Sequence, residues 1–196
     1  LLMGVSTLAL ALTFTGVARA DFTLNILHIN DFHSRFGPVT SSNSNCAPDA
    51  DAAGECFGGI ARLKTIIDDT RAGLADENSV LLDAGDQFQG SLFYTQYRSE
   101  IIAEFANGLG IEVMAVGNHE FDDGPEELAN LLDAVDFPII SGNTNVDNEP
   151  LLAGRVPGTH VLEIGGEKIG FVSALAEDTD ETSSPGDNVV FEDTFT

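Results

Sequence analysis

The sequence predicts a layered α/β domain in which helices cover a sheet. Short apolar runs alternate with segments of helical period, and three of those runs break off into loops rich in Gly, Asp and Asn. The balance of 43% hydrophobic to 20% charged residues, with 13 Phe, suits a folded chain of 196 residues with one substantial core.

Residues 1–20 have the pattern of an export signal. Val5–Val17 is apolar but short for a bilayer span, and Ala18-Arg19-Ala20 supplies a small-x-small cleavage pattern. The domain is then expected over residues 21–196, and the protein is expected to be periplasmic, cell-surface or extracellular.

Phe22–Ile29 alternates apolar and polar residues and turns polar at Asn30-Asp31, which predicts a strand ending in a loop. His28, with apolar neighbours on both sides, is expected in the core. Thr40–Gly59 reads as a loop carrying Cys46 and Cys56. In an exported protein such a pair reads as a disulfide worth about 2–3 kcal/mol, with two metal-ligating cysteines as the weaker alternative. Ile60, Leu63, Ile66 and Ile67 recur at helical spacing, predicting a helix over Gly59–Ala72.

Ser79–Ala84 reads as a buried strand running into Gly85-Asp86. Ile101, Ile102, Phe105 and Leu109 mark a second helix closed by Gly108 and Gly110. Val113–Val116 is a third strand, leading into Gly117-Asn118-His119. Pro125 opens a third helix with Leu128, Leu131, Leu132 and Val135 on one face, and Phe137–Ile140 is a fourth strand. His160–Ala174 predicts a hairpin turning at Gly165-Gly166, with His160 at the surface. Asp178–Asn188 reads as a polar connector, after which no further element is expected.

Charge narrows the function. Eight basic against 32 acidic residues give −24, a surface that repels nucleic acid and anionic membranes and is suited to a salty milieu. Two motif matches fail. Asp49–Ile60 lacks the Glu that an EF-hand loop needs, and Gly165-Gly166-Glu167-Lys168 lacks P-loop spacing.

The chemistry gathers where strands end. Asp31 and His33, then Asp86, then Asn118 and His119 follow three successive strands, and loops at the carboxyl ends of strands in an α/β sheet converge. These side chains are ligands for divalent metals. In an extended Asp31-Phe32-His33 segment, residues i and i+2 share a side and could grip one ion, with Phe32 turned into the packing. Asp86 could bridge two ions about 3.5–4 Å apart, the spacing that clamps a phosphoryl group. Glu120 is expected to be held by backbone contacts rather than metal, and Gln87 and Gln89 either line the site or form turns.

Asn30-Asp31-Phe32-His33, Gly85-Asp86-Gln87-Phe88-Gln89-Gly90 and Gly117-Asn118-His119-Glu120-Phe121-Asp122, in that order, resemble the three N-terminal blocks of the calcineurin-like metallophosphoesterases. Leu82–Asn143 is especially similar to secreted 5′-nucleotidases of the bifunctional UDP-sugar hydrolase type. Gly58–Arg62 and the cysteine pair fit the same family, and the likeness spans Leu24–Val172. The resemblance implies an α/β/β/α metallophosphoesterase sandwich and hydrolysis of phosphate esters, most simply nucleoside 5′-monophosphates, with two divalent ions, Zn²⁺ or Mn²⁺. By the resemblance Asp31 and His33 bind the first metal, Asp86 bridges, and Asn118 binds the second. His119 then serves as the catalytic group at the leaving oxygen, oriented by Asp122.

The family completes its metal shell from later Gly-His-x-His-type segments, and it grips nucleosides with a C-terminal domain. Neither is found here, where the histidines are His28, His33, His119 and His160. The sequence therefore reads as the N-terminal part of a longer enzyme, weak in metal binding and turnover by itself. Other readings share its motifs: a 2′,3′-cyclic nucleotide phosphodiesterase, a nucleotide-sugar hydrolase or a thiosulfohydrolase on the same scaffold, and a non-catalytic extracellular metal-binding module.

Overall fold

The computed structural model describes residues 21–195; the expected export signal lies outside them. The chain runs β1 (Asn25–Ile29), α1 (Pro48–Ala52), α2 (Ile60–Gly73), β2 (Ser79–Asp83), α3 (Leu92–Leu109) and β3 (Val113–Ala115). After a 3-10 turn at His119–Phe121 come α4 (Pro125–Ala134), β4 (Ile139–Ile140), β5 (Thr144–Asn145), β6 (Thr159–Ile164), β7 (Glu167–Val172), α5 (Thr179–Thr182) and β8 (Val190–Phe191).

β1 to β4 form one parallel sheet whose strand order equals chain order. Each crossover carries a helix and advances in the same direction, so right-handed connections place α2, α3 and α4 on one face. α2 packs on α3 and α3 on α4 accordingly. The core beneath them is built on Leu81, Ile102, Met114, Leu128, Leu131 and Ile139, each no more than 2% exposed. The expected helical faces are largely met, except that Ile66 on α2 is 64% exposed and only Ile67 is buried.

His28 is not in the core. Leu27 and Ile29 pack inward, so strand alternation turns Ile26 and His28 to the opposite, exposed face. His160 is half-buried on β6, opposite Phe171 in the hairpin that turns at Gly165-Gly166 as expected.

Three segments hold more structure than their composition suggests. The cysteine loop contains α1, and Cys46 and Cys56 form a disulfide that leaves no thiol for a metal. α3 begins at Leu92, two turns before its apolar stripe, and kinks at Arg98, whose φ is 54°. The polar connector contains α5, and the chain beyond it pairs β8 back onto β5 in antiparallel fashion. Among the described residues no helix is long and apolar enough to cross a membrane.

Leu128 is fully buried under α4, whereas Ile66 lies outside the core. Leu128→Ala is expected to lower unfolding stability by about 2–5 kcal/mol and Ile66→Ala by under ~0.5 kcal/mol in urea denaturation. Equal losses would place the core elsewhere.

Candidate metal and phosphoester site

The loops after β1, β2 and β3 meet at the carboxyl edge of the sheet, where backbone pairing locks them together. Asp31 N donates to Gly85 O at 3.0 Å, His33 N to Asp86 O at 3.1 Å and Ser34 N to Gln87 O at 3.0 Å. The approach is so close that side chains would not fit. A Cβ on Gly85 would lie 2.6 Å from Gly117 N, and one on Gly90 would lie 2.3 Å from His33 O. Both glycines also have positive φ, which only glycine adopts without cost.

Asp31, His33, Ser34, Asp86 and Gln89 are also left-handed, with φ between 49° and 63°. Such residues cost about 1–3 kcal/mol each and persist where surrounding structure over-determines them. The Asp31-Phe32-His33 segment is therefore not extended. A left-handed turn, rather than strand alternation, brings Asp31 Oδ1 within 3.9 Å of His33 Nε2. Phe32 packs on Phe36 in the core, as the sequence suggested.

Glu120 binds the second and third loops to each other. Its side chain is fully buried, and its carboxylate accepts four backbone N–H groups. Oε2 takes Asp86 N at 2.9 Å and Gly117 N at 2.6 Å, while Oε1 takes Gln87 N at 2.7 Å and Phe88 N at 3.3 Å. Burial pushes the Glu120 carboxyl above its usual range, and these amides pull it partly back.

Beneath it lies Asp83, which the sequence gives no cause to single out, since it reads as one residue within an apolar strand. Its Oδ1 accepts from Gly85 N and from Gln87 Nε2, both at 2.9 Å, so Gln87 is a buried brace rather than a site-lining residue. Its Oδ2 is buried with no hydrogen-bond partner among the described residues. Burial, with the Glu120 and Asp86 charges nearby, pushes Asp83 up to about 8.

The metal-ligating atoms of His33, Asp86 and His119 lie within 4.8 Å of one another. His33 Nδ1 lies 3.1 Å from Phe88 O; a proton donated there leaves Nε2 bare toward the site, the tautomer a ligand histidine uses. His119 stands edge-on to His33, with ring centroids 4.9 Å apart, and its Nδ1 lies 2.6 Å from Asp122 Oδ2. Partial burial pulls the His119 imidazole down. The hydrogen bond and charge of Asp122, followed by Asp86 and Glu120, outweigh it and hold His119 above the ordinary histidine value. Asp86 Oδ1 accepts from His119 N at 3.0 Å, and half-buried Asn118 heads the same turn.

The converging donor set suits a divalent metal: carboxylates and a bare imidazole nitrogen on loops held rigidly. Asp31 is the most open of these groups, its side chain 58% exposed. Gln89 turns away from the centre toward Asp123, with Nε2 3.4 Å from Oδ2. A cleft of about 820 Å³ opens beside the site, lined by Arg35, Gln89, Leu92, Phe93 and Tyr97.

Residues 24–193 match the calcineurin-like phosphoesterase family, and the chain belongs to it. It is similar to the 5′-nucleotidase of Bos taurus, 41% identical over 184 residues, covering 91% of this chain and 31% of the relative. An apyrase of Tabanus yao is 39% identical over 166 residues, covering 85% of this chain and 29% of the relative. Among solved structures, a 5′-nucleotidase precursor from Thermus thermophilus superposes with a TM-score of 0.76 at 38% identity, covering 88% of this chain and 32% of that one. The chain thus spans about a third of the length of the relatives it matches.

Two outcomes follow from the buried carboxylates. Glu120→Gln sets an amide N–H₂ against two backbone N–H groups, and each unpaired amide is expected to cost about 1–3 kcal/mol. A thermal midpoint unchanged from wild type would show that Glu120 does not hold the loops. Asp83 has a folded pKa of about 8 against 3.8 for the free group, so its share of stability is full below pH 3.8 and lost as pH rises to 8. In the metal-free protein Asp83→Asn is expected to flatten the fall in stability across that window. Parallel pH profiles for the two proteins would contradict the assignment.

Proposed function

We propose that this member of the calcineurin-like phosphoesterases is an exported, metal-dependent phosphoric monoester hydrolase that releases phosphate from nucleoside 5′-monophosphates. One observation carries the reading. His33, Asp86 and His119 converge from three separate loops, and His119 is backed by Asp122. The similarity to 5′-nucleotidases of Bos taurus and Homo sapiens, both at 41% identity, supports the substrate class. Similarity to venom 5′-nucleotidases of Gloydius brevicauda and Naja atra, at 35% and 36% identity, supports export.

Asp31, His33, Asp86 and Asn118 would hold two divalent ions, with Asp86 between them. Bound there, such ions offset the charge of a phosphate ester and make water a stronger nucleophile at neutral pH. Metals suit this chain as phosphate receptors because it has only eight basic residues against 32 acidic ones.

The chain's own contribution is to hold a proton. With Nδ1 bound to Asp122, His119 presents Nε2 as the free ring atom, and the Asp122 carboxylate favours the imidazolium form. As water adds to phosphorus and the ester P–O bond breaks, the leaving oxygen takes that proton, and the nucleoside departs as an alcohol. Asp122 stabilises the imidazolium until transfer, and Asp86 Oδ1 fixes the start of the turn through His119 N.

The test uses the gene-encoded protein with adenosine 5′-monophosphate. Two divalent ions per chain are expected by elemental analysis, chelation should abolish phosphate release, and Mn²⁺ or Zn²⁺ should restore it. His119→Ala is expected to lower kcat by about 10²–10⁴-fold with metal content retained. Turnover that survives both chelation and this substitution would refute the reading, and metal-loaded wild type without turnover would favour a non-catalytic module.

A further inference from the structure

Asp122 has a second partner. While Oδ2 meets His119 Nδ1, its Oδ1 accepts a hydrogen bond from Ser183 Oγ at 2.7 Å, across 61 residues of chain. The carboxylate is thereby held at both oxygens, and its side chain is only 17% exposed. We propose that Ser183 is a positioning residue for hydrolysis, fixing the Asp122 carboxylate in the plane that orients His119. This inference rests on the phosphohydrolase reading of the site.

The connector that carries Ser183 is built to deliver it. On one side, α5 is anchored by Thr179, which is fully buried and donates through Oγ1 to Ala176 O at 2.6 Å. Ser183 N closes that turn onto Thr179 O at 2.9 Å. On the other side, Ser184 N donates to Phe121 O at 3.3 Å, one residue before Asp122. Farther on, Val189 is buried, and Phe191 of β8 sets its ring edge-on to Phe121 at 5.8 Å.

The segment is therefore docked on the His119–Asp122 turn from both flanks, with its hydroxyl at the one carboxylate oxygen that His119 leaves free. A carboxylate held at one oxygen can rotate about its Cβ–Cγ bond and carry the imidazole with it. Partners standing behind a functional histidine commonly change activity or metal affinity by about 10–100-fold when removed.

The experiment compares wild type, Ser183→Ala and Ser183→Thr in the gene-encoded protein, with Ser183→Ala repeated in an Asp122→Ala background. Ser183→Ala is expected to lower kcat about tenfold at unchanged KM, metal content and thermal midpoint. Ser183→Thr, which keeps the hydroxyl, should recover most of the loss. In Asp122→Ala, removing Ser183 should add nothing. A second readout needs neither metal nor substrate: the proton NMR resonance of the His119 Nδ1–H, shifted downfield by Asp122, is expected to broaden or disappear in Ser183→Ala.

An unchanged kcat and resonance in Ser183→Ala would overturn the proposal, as would an undiminished effect in Asp122→Ala. A loss of kcat that tracks a lower thermal midpoint would overturn it too, reducing Ser183 to a tether. Wild-type protein without phosphatase activity would defeat the functional reading instead, and the resonance alone would then decide whether Ser183 orients His119.

Discussion

A buried carboxylate with four backbone amides around it holds the site together. Glu120 joins the loop after β2 to the loop after β3, and its two oxygens divide the amides of Asp86, Gln87, Phe88 and Gly117 between them. Taking an ion out of water costs several kcal/mol. Hydrogen bonds to a charged group return about 1.5–3 kcal/mol each, so every one that is lost leaves more of that cost unmet. The four bonds therefore fix a single loop arrangement. Asp86 and His119 inherit their positions from it, since Asp86 N is one of the bonded amides and His119 directly precedes Glu120.

The same rigidity explains how left-handed backbone persists at Asp31, His33, Ser34, Asp86 and Gln89. Loops pressed together at Gly85, Gly90 and Gly117 have no room to relax into ordinary conformations. What results is a set of donors already aimed inward: His33 held through Phe88 O, and His119 held through Asp122.

Much of this was legible in the sequence, for a physical reason. The period of the apolar residues marks strands and helices, and the polar residues that follow three strands must gather where parallel strands end. Glu120 was readable as a backbone-held residue, and the cysteines as a pair. What escaped was whatever depends on distant chain. Alternation along β1 shows that Ile26 and His28 face together, but not which face is covered. Asp83 reads as a strand residue because nothing local reveals that Gly85 and Gln87 will fold back onto it. Ser183 lies in a stretch whose composition suggests a loose connector. Its place beside Asp122 becomes visible only once β8 has paired with β5 and drawn the segment across Phe121.

Everything proposed for this chain turns on Asp31, His33, Asp86 and Asn118 forming the metal centre while His119 stays free to hand over a proton. Crystals of the gene-encoded protein grown with Mn²⁺ and measured at the manganese absorption edge test it directly. Two anomalous peaks are predicted, one touching Asp31, His33 and Asp86, the other touching Asp86 and Asn118, with His119 Nε2 bonded to neither. Manganese bonded to His119 Nε2, or found only on the acidic surface, would contradict it.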